Sequence, residues 1–229
     1  MIKNLGPVFN NKPDPTYLIE KLSELNRFDA DLYGSTDKKL EILLIKEACA
    51  HLKIPSADTI VDFALNFEED VAILHKGLLQ SICFCFPSSW VPSSRIGMSL
   101  EQIHQPVADN KYLLSASNQI ATLIANRQSG SFKRQVWTIT NNSQLSNHPE
   151  NKIQIEPKTL DDLYFRLETQ ITEPFYIDSC LFFVKVDVIP LNKIWTKYSQ
   201  QIKDSISSMS ESILQYKNLL KIKSIILAD

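Results

Sequence analysis

Glycine is scarce in this chain, with 5 in 229 residues. Loops that cradle phosphates need glycines at fixed spacings, and neither GxGxxG nor GxxxxGK(S/T) occurs. HExxH and GxSxG are missing too, so nucleotide-binding, zincin and α/β-hydrolase chemistry have no foothold. Neither sign of charge is in excess: 24 Lys+Arg against 26 Asp+Glu leave a net charge of −2. That removes the basic stripe expected of a nucleic-acid partner. No apolar run approaches the roughly 18 residues of a membrane span. The opening MIKNLGPVFNNKPDP lacks the apolar core of a secretory signal, so the expected location is cytoplasmic, with no membrane partner. Cysteine is limited to Cys49, Cys83, Cys85 and Cys180. None has the CxxC spacing of zinc or iron–sulfur sites. Cys83 and Cys85 alternate with apolar residues in ICFCF and read as small buried hydrophobes on one strand face.

What is present is the composition of a globular protein, 44% hydrophobic and 22% charged. A chain of this length buries roughly 70% of its unfolded surface, enough for one large domain or two small ones.

The first third reads helical. TYLIEKLSEL places Leu18, Leu22 and Leu25 on one stripe. Ser35-Thr36-Asp37 can cap a second helix with Leu40, Leu43, Leu44 and Ala48 inward. A third short helix is predicted around Thr59 to Asn66. From Asp70 the pattern changes to two apolar runs split by Gly77, a hairpin. FPSSWVPSSRIG is a loop, SLEQIHQP one helical turn, and Tyr112 to Arg127 a helix. FKRQVWTIT, LYFRLETQI and CLFFVKVDVI are strands, with a polar excursion between Asn141 and Pro157. Leu191 to Leu227 reads as one long amphipathic cover helix, its apolar stripe running from Trp195 through Ile202, Ile206 and Met209 to Ile213. The fold class predicted is α+β: a mainly antiparallel five-stranded sheet with helices on one side. Residues 1–68 form a helical N-terminal segment and 69–229 the sheet unit, and strands interrupted by helices after the second give a PAS-like layout.

Two arrangements bear on chemistry. Strand alternation places Tyr164, Arg166, Glu168 and Gln170 on one face. That face is either the solvent side or the polar lining of a cavity. His104, at the end of a helical turn fixed by Pro106, is either a structural histidine or an iron ligand. Of the other histidines, His75 is the rival ligand, and His148 in the excursion loop is expected to be solvated.

CFPSSW (Cys85 to Trp90), RIGMSLEQIHQPV (Arg95 to Val107), RLETQ (Arg166 to Gln170), VIPL (Val188 to Leu191) and Tyr216-Lys217 follow one another in an order that resembles the heme-dependent oxidative N-demethylase family, heme-binding subunit. The sequence departs from that family's arginine-rich stretch after RLETQ, which here is ITEPFYIDS, and has Arg134-Gln135-Val136-Trp137 without an asparagine. The resemblance implies a PAS-like fold binding heme b. It also implies an activity in which dioxygen oxidises an amine, with electrons from a separate flavin and iron–sulfur reductase.

On this reading His104 is the axial ligand. Arg95, Arg134 and Arg166 are the basic groups for heme propionates or a substrate carboxylate, since a guanidinium fork matches carboxylate geometry. Glu168 holds the substrate ammonium or accepts its proton, and Gln170 contributes a neutral hydrogen bond. The alternative is a PAS-like heme or small-ligand sensor without catalysis. Self-association is left open.

Overall fold

The computed structural model describes residues 1–151 and 156–228, so part of the predicted excursion loop lies outside the described residues. The chain runs β1 (Ile2–Lys3), α1 (Pro15–Phe28), β2 (Tyr33–Ser35), α2 (Lys38–Leu52), α3 (Ile60–Ala64), β3 (Asp70–His75), β4 (Leu78–Cys83), α4 (Leu100–His104), α5 (Lys111–Ala125), β5 (Phe132–Thr140), β6 (Tyr164–Tyr176), β7 (Ser179–Pro190), α6 (Leu191–Ser208), α7 (Glu211–Tyr216) and α8 (Lys223–Ala228).

The strands form one antiparallel open sheet of seven, in the order β1-β5-β6-β7-β3-β4-β2. Five of them are the strands that periodicity marks. β1 and β2, with two and three residues, are too short to carry a period of two and exist only through pairing with β5 and β4. The β3–β4 turn passes through Lys76 and Gly77, at φ 49° and 77°. Two successive positive φ values match the twist of a tight hairpin, which explains the glycine.

Helices cover both faces of the sheet rather than one. Leu44, Ile45 and Ala48 of α2 and Phe63 of α3 pack with Val71, Ile73, Leu181 and Phe183, all buried. Farther along the same face, Ile202 and Ile206 of α6 and Ile226 of α8 meet Ile139, Trp137 and Phe165. On the opposite face, Leu100 of α4 and Ile120 and Ile124 of α5 meet Leu74, Phe132, Cys180 and Phe182. All four cysteines are free and buried.

Three expectations are corrected. First, α1 is rotated: Tyr17, Lys21, Glu24 and Phe28 point inward, while Leu18 and Leu22 are 38% and 44% exposed. Lys21 turns in because its ammonium satisfies the Ala64 and Glu69 carbonyls, at 3.0 and 2.5 Å, where the chain has no strand partner for them. On α2, likewise, Leu43 is 43% exposed. Second, the long C-terminal helix is three helices. Met209 is extended at ψ 140°, and Ser210 caps a new helix by accepting from the Ile213 N–H at 3.2 Å. Serines at 205, 207, 208, 210 and 212 weaken the helix there and favour a cap. Third, His148 is buried at 1% exposure, its ring stacked on Phe28 at 4.0 Å between centroids.

Candidate functional site

The register of β5, β6 and β7 sets the site. Arg134 lies opposite Gln170, Val136 opposite Glu168 and Thr138 opposite Arg166. On the other flank Gln170, Glu168 and Arg166 face Val184, Val186 and Val188. One more step across, Asp70 lies opposite Val184. These side chains therefore share one face, the face that α4 and α5 cover, and the polar row of β6 has a line of three valines on its β7 flank and Arg134, Val136 and Thr138 on its β5 flank.

The row is a continuous hydrogen-bonded chain. Arg134 Nε donates to Gln170 Oε1 at 2.5 Å, and Gln170 Nε2 donates to Glu168 Oε2 at 2.9 Å. The Ser88 hydroxyl donates to Glu168 Oε1. Arg166, 2% exposed, gives Nε to Ser88 Oγ at 3.1 Å, Nη1 to the Leu145 carbonyl at 2.6 Å and Nη2 to the Phe86 and Pro87 carbonyls at 3.0 and 3.4 Å. Its fork thus ties the row to the turn after β4.

Charge gathers around Glu168. Burial pulls Arg134 and Arg166 down from the ordinary guanidinium range, and the Glu168 carboxylate opposes that in both. Burial also lowers Lys217, again against Glu168. Tyr216 is raised by burial and then by Glu168, with Arg95 acting the other way. Tyr216 and Lys217 thus belong with the row, and Lys217 Nζ donates to the Trp137 carbonyl at 2.6 Å. β1 pairs with β5 only at Phe132 and Lys133, so α7 and Lys217 cover the β5 edge that β1 leaves open.

His104 ends α4, whose start is fixed by a capping box of Ser99 and Gln102. Its Nδ1 lies 2.7 Å from the Leu100 carbonyl. A carbonyl only accepts, so Nδ1 carries the hydrogen and Nε2 the lone pair of the neutral ring. Burial lowers the His104 pKa, the Leu100 hydrogen bond opposes that, and the Arg134 charge pushes down again, so the neutral ring is favoured. Arg95 lies half-buried in the one-turn helix Pro92–Arg95. Gly97, at φ 82°, lets the chain fold back so that its N–H reaches the Leu79 carbonyl at 2.8 Å.

In donor chemistry these residues match what a heme needs. A porphyrin supplies four ligand nitrogens, so one neutral imidazole with a free basic Nε2 and an anchored Nδ1 suffices from the protein. Arg95, Arg134 and Lys217 offer positive charge for carboxylates, and Val136 with the β7 valines offers apolar contact. The rival His75 has its Nδ1 on Ser179 Oγ at 2.8 Å, at the far end of β3. Two open concavities lie elsewhere: one of about 440 Å³ beside His51, Arg127 and Phe175, and one of about 510 Å³ beside Lys158, Asn192 and Trp195. Neither includes a residue of the row.

Sequence reasoning missed Ser88 as a partner of Glu168, and Lys21 and Asp70 altogether. The one signal for Asp70 was a charged residue opening the otherwise apolar strand VAILH.

The fold and site define an α+β protein with a basic-flanked polar row on one sheet face and a neutral histidine on a helix that covers it. The family model described as haem-dependent oxidative N-demethylase, alpha subunit-like, matches residues 20–227, and the chain belongs to that family. That description ties the family to heme and places its members as one subunit beside a partner. No curated protein matches the chain. Among the described residues no helix is long and apolar enough to cross a membrane.

Proposed function

We propose that the chain is the heme-binding subunit of an oxidative N-demethylase-like oxidoreductase acting on an amine or amino-acid-like substrate, with dioxygen as oxidant. The observation that carries this reading is His104: its Nδ1–H is held by the Leu100 carbonyl at 2.7 Å, leaving Nε2 basic on the helix that covers this face, within reach of the Arg134 charge. The hairpin β3–β4, the inserted α4 and α5, and the meander β5–β6–β7 support a PAS-like assignment.

Heme b, when bound, supplies the iron at which dioxygen is activated and through which electrons leave the substrate's carbon–nitrogen bond. His104 would hold the iron through Nε2, and Arg95 and Arg134 would pair with propionates. Glu168 would hold the substrate ammonium and accept its proton, with Gln170 steadying the carboxylate through Oε2. Arg166 has its donors on Ser88, Leu145, Phe86 and Pro87, so it acts as a positioning residue rather than a ligand contact. A separate flavin and iron–sulfur reductase would deliver the electrons.

The test is spectroscopic. Purified protein reconstituted with heme b is expected to show a Soret band that responds to reduction and to CO. His104→Ala is expected to shift that band and loosen heme while leaving the fold intact; His75→Ala, His51→Ala and His148→Ala are expected to keep the wild-type position. Absence of a Soret band after reconstitution overturns the reading. Heme binding without oxygen consumption, across a panel of amines with an active reductase, would leave a sensor instead of an enzyme.

A further inference from the structure

Beneath the row lies a second charged group that the reaction itself does not use. Lys21 and Asp70 are both 0% exposed, with Nζ and Oδ1 3.8 Å apart. Lys21 comes from α1 and Asp70 opens β3, on the same sheet face as Gln170 and Arg134 and in the same cross-strand line. Asp70 Oδ1 accepts from the Cys85 N–H at 2.9 Å, and Oδ2 from the Phe86 N–H at 2.8 Å. The carbonyl of that same Phe86 accepts from Arg166, as does the carbonyl of Pro87. Arg166 in turn holds Ser88, and Ser88 holds Glu168. The far side of the turn is pinned as well, since the Asn147 N–H donates to the Pro87 carbonyl at 2.9 Å.

We infer that Lys21 and Asp70 are positioning residues for Glu168, acting through the 85–88 turn, Arg166 and Ser88. Glu168's role in binding substrate rests on the function proposed above, but the relay itself does not. A buried ion pair is a weak source of stability, because desolvating two charges offsets their attraction and apolar residues of similar volume do as well or better. What this pair does supply is direction. One carboxylate takes two successive backbone N–H groups, which fixes the peptide planes of the turn and so the aim of the carbonyls that Arg166 grips. Lys21 from α1 and Arg166 from β6 are the cations facing Asp70. Together they favour the ionised form that two N–H donors require. Neutral Asp70 would present a hydroxyl hydrogen to one of those donors, and the turn would lose one of its two fixed points.

Infrared spectroscopy of the full chain, without added heme, tests this directly. The Glu168 carboxylate band is assigned by its loss in Glu168→Gln. Ser88→Ala, which removes the last link, is expected to displace that band. Asp70→Asn, three links away, is expected to displace it in the same direction, and Lys21→Met to do so by a smaller amount. Lys21→Met also serves if Asp70→Asn fails to fold, because it leaves the Asp70 carboxylate in place. In the heme-loaded protein, Asp70→Asn is expected to lower kcat/KM for the amine about tenfold with a fall in kcat, since a displaced Glu168 both holds the ammonium and accepts its proton less well. A Glu168 band at its wild-type position in folded Asp70→Asn or Lys21→Met, whatever their stability, overturns the relay. The same holds for Ser88→Ala if its band does not move. Failure to bind heme would sink the functional reading and leave these infrared outcomes standing.

Discussion

Along the Arg166–Gln170 stretch of β6 the two faces of this sheet do opposite things, although Leu74, Phe132 and Cys180 give the polar face an apolar end of its own. On β6, Ile171 and Phe175 point to the side where Phe63, Phe67 and Phe183 meet edge to face, with ring centroids 5.1–5.2 Å apart. Arg166, Glu168 and Gln170 point to the other side, where the contacts are directional hydrogen bonds, each between a charged group and a neutral one. Apolar packing tolerates small displacements and gains from area. A chain of hydrogen bonds with charged members gains only when each geometry is met, and in a low-dielectric setting it loses heavily when one is not. The apolar face therefore holds the fold, and the polar face is positioned by it.

The largest effect should come from breaking the apolar face. Phe67→Ala removes a ring that touches Phe9, Phe63 and Phe183 and is 2% exposed. It is expected to cost about 3–5 kcal/mol in urea unfolding. The heme affinity of the molecules that remain folded should stay at the wild-type value. A matching loss of heme affinity would show that the two faces are not separable.

Next is the pH dependence of the buried carboxylate on the polar face. Burial pushes Asp70 up to about 6 from 3.8, against the pull of Lys21 and of the Cys85 and Phe86 N–H groups. Between those values the folded state binds more protons than the unfolded chain, so stability falls as pH rises through the interval. The drop is up to about 3 kcal/mol at roughly 1.4 kcal/mol per pH unit. Urea unfolding at pH 4, 5, 6 and 7 should show it, and Asp70→Asn should flatten that part of the curve. A wild-type profile without this fall would mean that Lys21 and the turn hold the carboxylate in its ordinary range.

Glu168→Gln sharpens the contrast in the other direction. Glu168 is half-buried and held by two neutral donors, Ser88 and Gln170, and an amide can still accept from one of them. Unfolding should therefore change by no more than about 0.5 kcal/mol. Amine turnover, measured with an active reductase, should fall about 10²-fold, near 2.7 kcal/mol of barrier. An unchanged rate returns this face to a structural role.

The same contrast explains what could be read from the sequence. Long elements are legible because β-branched and aromatic residues recur over nine or more positions in β5, β6 and β7, with alternation clear in the RLETQI and VKVDV stretches. The row of Arg166, Glu168 and Gln170 is legible for that reason too, since alternation alone puts the three on one face. Its partners are not. Ser88 comes from a Ser/Pro loop some 80 positions away in the chain, a distance at which no local pattern operates. α1 misleads because its stripe of leucines obeys the helical period, yet the inward stripe one step round carries Lys21, whose partners are carbonyls supplied by the tertiary fold. The break at Met209, which the helical stripe runs straight through, lies in a serine-rich stretch, but its cause is again distant. Ser210 and Ser212 both donate to Asp109, in the turn after α4, and that pairing favours a new helix start over continuation.

That clasp gives the smallest and most local prediction. α7 belongs to both faces at once. Leu214 is buried among Ile139, Leu163 and Ile206 in the apolar cluster, while Tyr216 and Lys217 reach the charges around Glu168. Its N-terminus is held by polar contacts, the Ser210 cap on the Ile213 N–H and the two serine bonds to Asp109. Ser210→Ala deletes the cap and one of those bonds, a loss of about 1 kcal/mol by the usual worth of a serine cap. Amide exchange over residues 211–217 should quicken about fivefold, since 1 kcal/mol is a factor of that order. Global unfolding, and exchange within β6 and β7, should stay near wild type. Unchanged exchange over 211–217 would mean that Leu214 packing alone fixes the helix, and α7 would then count as part of the apolar face.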